Sequence, residues 1–83
     1  MRYLKDIPHP QLKMGLFAWN GKYILKVEVG MYEQTYKISE MDVSSEEEVV
    51  TLLDGPFLKK VAERFGQMHG DFMESAERNG IVL

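Results

Sequence analysis

Leu12-Lys13-Met14-Gly15-Leu16-Phe17-Ala18-Trp19-Asn20-Gly21-Lys22-Tyr23-Ile24-Leu25-Lys26-Val27-Glu28-Val29 consists of two apolar-rich runs joined by Asn20-Gly21. A two-residue type I′ turn needs positive φ at both central positions, which Asn and Gly tolerate best, and its twist matches that of the strands it joins. The stretch is therefore expected to form an antiparallel hairpin, Leu12 to Trp19 against Lys22 to Val29. A two-residue turn also fixes the register. It pairs Trp19 with Lys22, Ala18 with Tyr23, Phe17 with Ile24, Leu16 with Leu25, Gly15 with Lys26, Met14 with Val27, Lys13 with Glu28 and Leu12 with Val29. Side chains alternate along a strand, so Leu12, Met14, Leu16, Ala18, Tyr23, Leu25, Val27 and Val29 share the expected core face.

Beyond the hairpin, Gly30-Met31 marks another turn. Tyr32 to Ile38 then alternates again as a third antiparallel strand, with Gln34, Tyr36 and Ile38 on the core side and Thr35 and Lys37 on the other. Ser39 to Ser45 is a polar connection. Ser45 followed three residues later by Glu48 is a capping box, and Glu46, Glu47 and Glu48 suit the positive end of a helix dipole. A short helix is expected from there, with Val49, Val50, Leu52 and Leu53 on its apolar side, ending at Asp54-Gly55. From Pro56 to about Asn79 the apolar positions Leu58, Val61, Ala62, Phe65, Met68, Phe72, Met73 and Ala76 recur every three or four residues, the pattern of a long amphipathic helix. At about 1.5 Å per residue it spans roughly 36 Å, against about 27 Å for an eight-residue strand. Asn79-Gly80 ends it, leaving Ile81-Val82-Leu83 as an apolar tail.

Toward the N-terminus, Pro8 and Pro10 flank His9 and push the residue before each out of the helical region. Residues 1–11 are expected to be an irregular arm whose Tyr3, Leu4 and Ile7 dock on the core or pair briefly at a sheet edge. A three-stranded meander needs its apolar face covered, and the long helix carries the matching stripe. The expected fold is a single α+β domain over residues 1–83. It has two layers, β-β-β-α-α, with strand order 1-2-3 and a short and a long C-terminal helix on one face.

Eighty-three residues with 45% hydrophobic and 28% charged content suit one small globular domain, with no disordered or repetitive segment. No stretch reaches the roughly 18 apolar residues that span a bilayer, and Met1 to Asp6 lacks the apolar run of a secretory signal. The expected location is cytoplasmic, with no membrane partner. The absence of cysteine excludes disulfides and thiolate chemistry and agrees with a reducing compartment. Net charge is -3, but residues 1–39 carry +3 and residues 40–83 carry -6, so the predicted sheet is the basic half.

Catalytic signatures are missing: there is no G-x-S-x-G, P-loop, G-x-G-x-x-G, H-E-x-x-H or EF-hand pattern. No enzyme activity, cofactor or metal site is expected. His69 lies near the apolar stripe of the long helix, without ligand-type residues one turn away, and is expected to be a hydrogen-bonded boundary histidine; a metal site would need a distant partner such as His9. Ala62, Gly66 and Gly70 form a small-residue ridge, expected either to give room for close packing inside the domain or to pair helices of two copies.

The one face that register isolates as unusual is the outer one: Lys13, Gly15, Phe17, Trp19, Lys22, Ile24, Lys26 and Glu28, joined by Thr35 and Lys37. Apolar groups rimmed by charge mark contact sites in soluble proteins. Phe17, Trp19, Lys22, Ile24 and Lys26 are the candidate binding residues. The expected function is a small protein-interaction or self-association domain, its partner another protein or a second copy in a homodimer. Cover by the arm or by the tail would remove this site. A second reading is single-stranded nucleic-acid binding on interleaved lysines and aromatics, against which stand the acidic net charge and the lack of arginine on that face. A third is a small enzyme with an unrecognised site.

Overall fold

The structure, a computed structural model, describes residues 1–83. Its sheet has four strands: β1 (Arg2–Ile7), β2 (Lys13–Trp19), β3 (Lys22–Val29) and β4 (Tyr32–Ser39), antiparallel in the order β1-β2-β3-β4. A 3-10 turn (Glu40–Asp42), a short helix α1 (Glu46–Val50) and a long helix α2 (Gly55–Arg78) follow.

The hairpin forms in the expected register, from Trp19 opposite Lys22 to Lys13 opposite Glu28. Asn20 and Gly21 have φ of 54° and 73°, as a type I′ turn demands. The second hairpin closes on Gly30-Met31, with φ of 58° at Gly30, and pairs Val29 with Tyr32.

The fourth strand corrects the expectation for the N-terminus. Residues 2–7 pair with β2 instead of forming an irregular arm, so the sheet has four strands and not three. Regular alternation is hidden there by a bulge. Tyr3 lies opposite Phe17 and Lys5 opposite Leu16, so Leu4 is the extra residue. Leu4 packs on the Leu16–Leu25–Val49 cluster, and Lys5 reaches Glu46 of α1 at 3.7 Å. The bulge also puts Tyr3 and Asp6, three apart in sequence, on the same outer face, opposite Phe17 and Gly15.

On the inner face, Leu12, Met14 and Val27 pack with Val61 and Phe65 of α2, while Leu16 and Leu25 pack with Val49 of α1. Ser45 caps α1 by accepting from the Glu48 amide at 3.2 Å, while the Glu48 carboxylate accepts from the Ser44 hydroxyl and not from the Ser45 amide, so half of the expected capping box forms. The junction of the helices differs from expectation. Asp54 is the N-cap of α2, its Oδ1 accepting from the Phe57 amide at 3.0 Å, and Gly55 is the first helical residue. An acid in that position serves the following helix better than it closes the preceding one. At the far end Gly80 takes φ of 68°, Gly80 N donates to the Glu77 carbonyl at 3.2 Å and Ile81 N to that of Ala76 at 2.9 Å, a Schellman closure.

Candidate functional site: the outer face of the sheet

Strand alternation and the Asn20-Gly21 turn place Phe17, Trp19, Lys22, Ile24 and Lys26 on the face away from the helices, and the strand from residues 2–7 adds Tyr3 and Asp6 beside them. The five do not form one flat patch. Ile24 is 1% exposed, between its neighbours Phe17 on β2 and Lys37 on β4, and serves as the floor of the face. Phe17 is half-buried. Its ring leans away from the turn and over Gly15, where an added Cβ would stand 3.2 Å from Cε1. Lys26 Nζ sits 5.1 Å from the ring centroid, a cation–π contact, and Tyr3 meets Phe17 edge-on at 5.6 Å. The rings left open are Trp19 and Tyr3, each 53% exposed.

The arm therefore covers Phe17 in part and leaves Trp19 uncovered. The tail does not reach this face. Residue 32 at the start of β4 already packs against His69 and Phe72, so the last turns of α2 and Ile81-Val82-Leu83 continue past the Gly30-Met31 end, opposite to Trp19.

Charge on the face is graded. Lys13 and Glu28 approach to 3.9 Å at the end far from the Asn20-Gly21 turn. Lys22, opposite Trp19, and Lys37, opposite Ile24, make no ion pair. Tyr3, Asp6, Lys13, Met14, Gly15, Phe17, Lys26 and Glu28 line a hollow of about 230 Å³ over Gly15. Within it Asp6 lies beside Tyr3 and, by side-chain hydrogen bonding and by its charge, opposes ionisation of the phenol and raises its pKa above the ordinary value.

A second apolar surface lies at the other end of the sheet. Met31, Tyr32, Met68, Asp71, Phe72 and Ser75 line a cleft of about 550 Å³ where α2 runs past the second turn, and Phe72 is 48% exposed. The reading of the stripe as core covers Met68 but not Phe72. The signal for this was the length of the helix, which exceeds that of the strands it crosses. His69 is a hydrogen-bonded boundary residue as expected, its Nδ1 2.9 Å from the Tyr32 hydroxyl. His9 Nδ1 instead accepts from the amides of Gln11 and Leu12, both at 3.1 Å, and shapes the β1–β2 loop. No group of three or more His, Asp or Glu side chains is placed to hold a metal ion. Gly66 and Gly70 face open space, so close packing inside the domain is not why they are glycine. No helix is long and apolar enough to cross a membrane.

No family model, curated protein or solved structure matches this chain.

Proposed function

We propose that the protein is a small non-enzymatic interaction domain that binds another protein through the Asn20-Gly21 end of its outer sheet face. The observation that carries this reading is the exposure of Trp19, the only tryptophan, opposite Lys22, which has no carboxylate partner. A large amphipathic ring on a rigid hairpin supplies contact area at little cost in side-chain entropy, and such residues dominate binding energy where they become buried. Tyr3 extends the apolar surface, while Ile24 and Phe17 hold it in shape from below. Lys22 and Lys37 form a basic rim. The chemistry that fits is a segment combining apolar side chains with acidic ones.

The lysine-and-aromatic pattern that suggested single-stranded nucleic acid is weakened as a platform, because Lys26 occupies a face of Phe17 and only Tyr3 and Trp19 remain open for stacking.

The test is affinity capture with wild type, Trp19→Ala and Lys22→Glu, each checked for folding by circular dichroism. A protein retained by wild type and lost with both variants is then titrated against Trp19 fluorescence. Capture that is equal for wild type and Trp19→Ala would overturn the proposal.

A further inference from the structure

The backbone of β4 has a partner on one side only. Trp19 and Lys22 close a two-residue hairpin and so exchange both main-chain hydrogen bonds. Along β3, Lys22, Ile24, Lys26 and Glu28 thus turn their N–H and C=O groups toward β2, and Tyr23, Leu25, Val27 and Val29 turn theirs toward β4. The matching residues of β4 are Ile38, Tyr36, Gln34 and Tyr32. Glu33, Thr35, Lys37 and Ser39 therefore aim their main-chain groups outward, along an eight-residue strand without proline or bulge. No backbone bond from another element meets them.

The sequence of this edge is self-complementary. Two copies of a strand can pair antiparallel about a two-fold axis normal to the sheet only when residues of the same face meet, so the axis must pass through a residue position. An axis through Glu33 or Lys37 sets that charge against itself. One through Gln34 or Tyr36 sets Glu33 or Lys37 opposite Thr35. Only an axis through Thr35 places Glu33 opposite Lys37, and symmetry makes that pair twice. On the helix side the same axis sets Gln34 opposite Tyr36 and Tyr32 opposite Ile38, polar with polar and half-buried apolar with half-buried apolar. Thr35 faces Thr35, and its neighbours span seven of the eight residues of the strand.

We propose that β4 pairs antiparallel with β4 of a second copy, centred on Thr35, joining two four-stranded sheets into one of eight strands. Main-chain hydrogen bonds from Glu33, Thr35 and Lys37 supply the contact, and the two Glu33–Lys37 pairs fix its register. Thr35 Oγ1 donates to Glu33 Oε2 at 3.1 Å, so the two outer-face side chains of the edge strand are already in contact. Both outer faces end on the same side of the joined sheet, so the dimer presents Trp19 twice. The proposal shares Lys37 with the rim of the Trp19 site but rests on the β4 backbone and stands without that site.

Sedimentation equilibrium from micromolar to millimolar concentration tests the pairing, with Lys37→Glu, Glu33→Lys and the double exchange Glu33→Lys/Lys37→Glu. Wild type and the double exchange should approach twice 9.6 kDa. Each single variant replaces two attractive pairs by two like-charge pairs and should weaken dimerisation about tenfold or more. Trp19→Ala should leave the mass unchanged. In hydrogen exchange, the Glu33, Thr35 and Lys37 amides should become protected as concentration rises. A wild type that stays monomeric throughout overturns the proposal. So does a dimer indifferent to Lys37→Glu, or one that is lost on Trp19→Ala while circular dichroism shows that variant folded.

Discussion

Gln34 donates from Nε2 to the main-chain carbonyl of Val61 at 3.0 Å, a bond from the last strand of the sheet to the second turn of α2. It is the one polar side chain in the buried core, 7% exposed, and its Oε1 accepts from the Tyr36 hydroxyl at 2.6 Å and from Arg64 Nη1 at 3.2 Å. Every polar atom of this buried amide that faces the protein is used. Gln34→Ala removes three hydrogen bonds and leaves the Tyr36 hydroxyl with Arg64 alone. A loss of about 1–3 kcal/mol is expected, read as a lower midpoint at unchanged slope in urea.

Gly66 and Gly70 sit in the helix with open space where a Cβ would project. Gly66→Ala and Gly70→Ala should each stabilise by roughly 0.5–1 kcal/mol, because alanine loses less backbone entropy on folding and meets no neighbour. The thermal midpoint should rise by about 4 °C or more per kcal/mol for a domain of this size. Sedimentation of the double variant tests the ridge as well. An unchanged mass separates edge pairing from helix pairing, which the added methyl groups would push apart.

Asn20 holds φ of 54°, in the left-handed region. Asn20→Ala should cost about 1–2 kcal/mol, the penalty that a Cβ without a compensating polar group incurs there. Asn20→Gly should retain most of the stability. Paired urea titrations of the two variants check the difference, and equal losses would mean that the turn is not of type I′.

Asp6 raises the pKa of Tyr3, through side-chain hydrogen bonding first and its charge as well. Asp6→Asn removes the charge, so the Tyr3 phenol should ionise at lower pH than in wild type. Ring-carbon chemical shifts of Tyr3 followed through the alkaline range measure this. A midpoint that does not fall would show that Asp6 does not act on the Tyr3 phenol.

The hairpin was fully legible because Asn20-Gly21 admits one turn geometry and one register, and every pair from Trp19–Lys22 to Lys13–Glu28 follows from it. β1 was not, for two physical reasons. The extra residue at Leu4 breaks the two-residue period on which strand reading depends, and Pro8 and Pro10 dominate the local signal. Without β1, the contribution of Tyr3 to the outer face could not be seen, nor its edge contact with Phe17. The membership of that face was readable from alternation, but its relief was not. Alternation says that Ile24 and Trp19 point the same way; only packing shows that one is a floor and the other a surface. Asp54 reads from sequence as the end of α1, yet caps α2, because capping preferences at the end of one helix and the start of the next overlap when the two are nearly contiguous.

Leu4, the surplus residue of β1, also bears on how large an assembly of these molecules can become. A unit with two open sheet edges polymerises, since each addition exposes a fresh edge for the next. Here one edge falls out of step after Tyr3 and runs into Pro8, while the pairing proposed for β4 would use up the other. On that pairing, growth would stop after a single addition. Concentrated solutions of this protein should hold discrete particles and form no fibrils, and realigning β1 by deleting Leu4 should be the change that lets filaments begin.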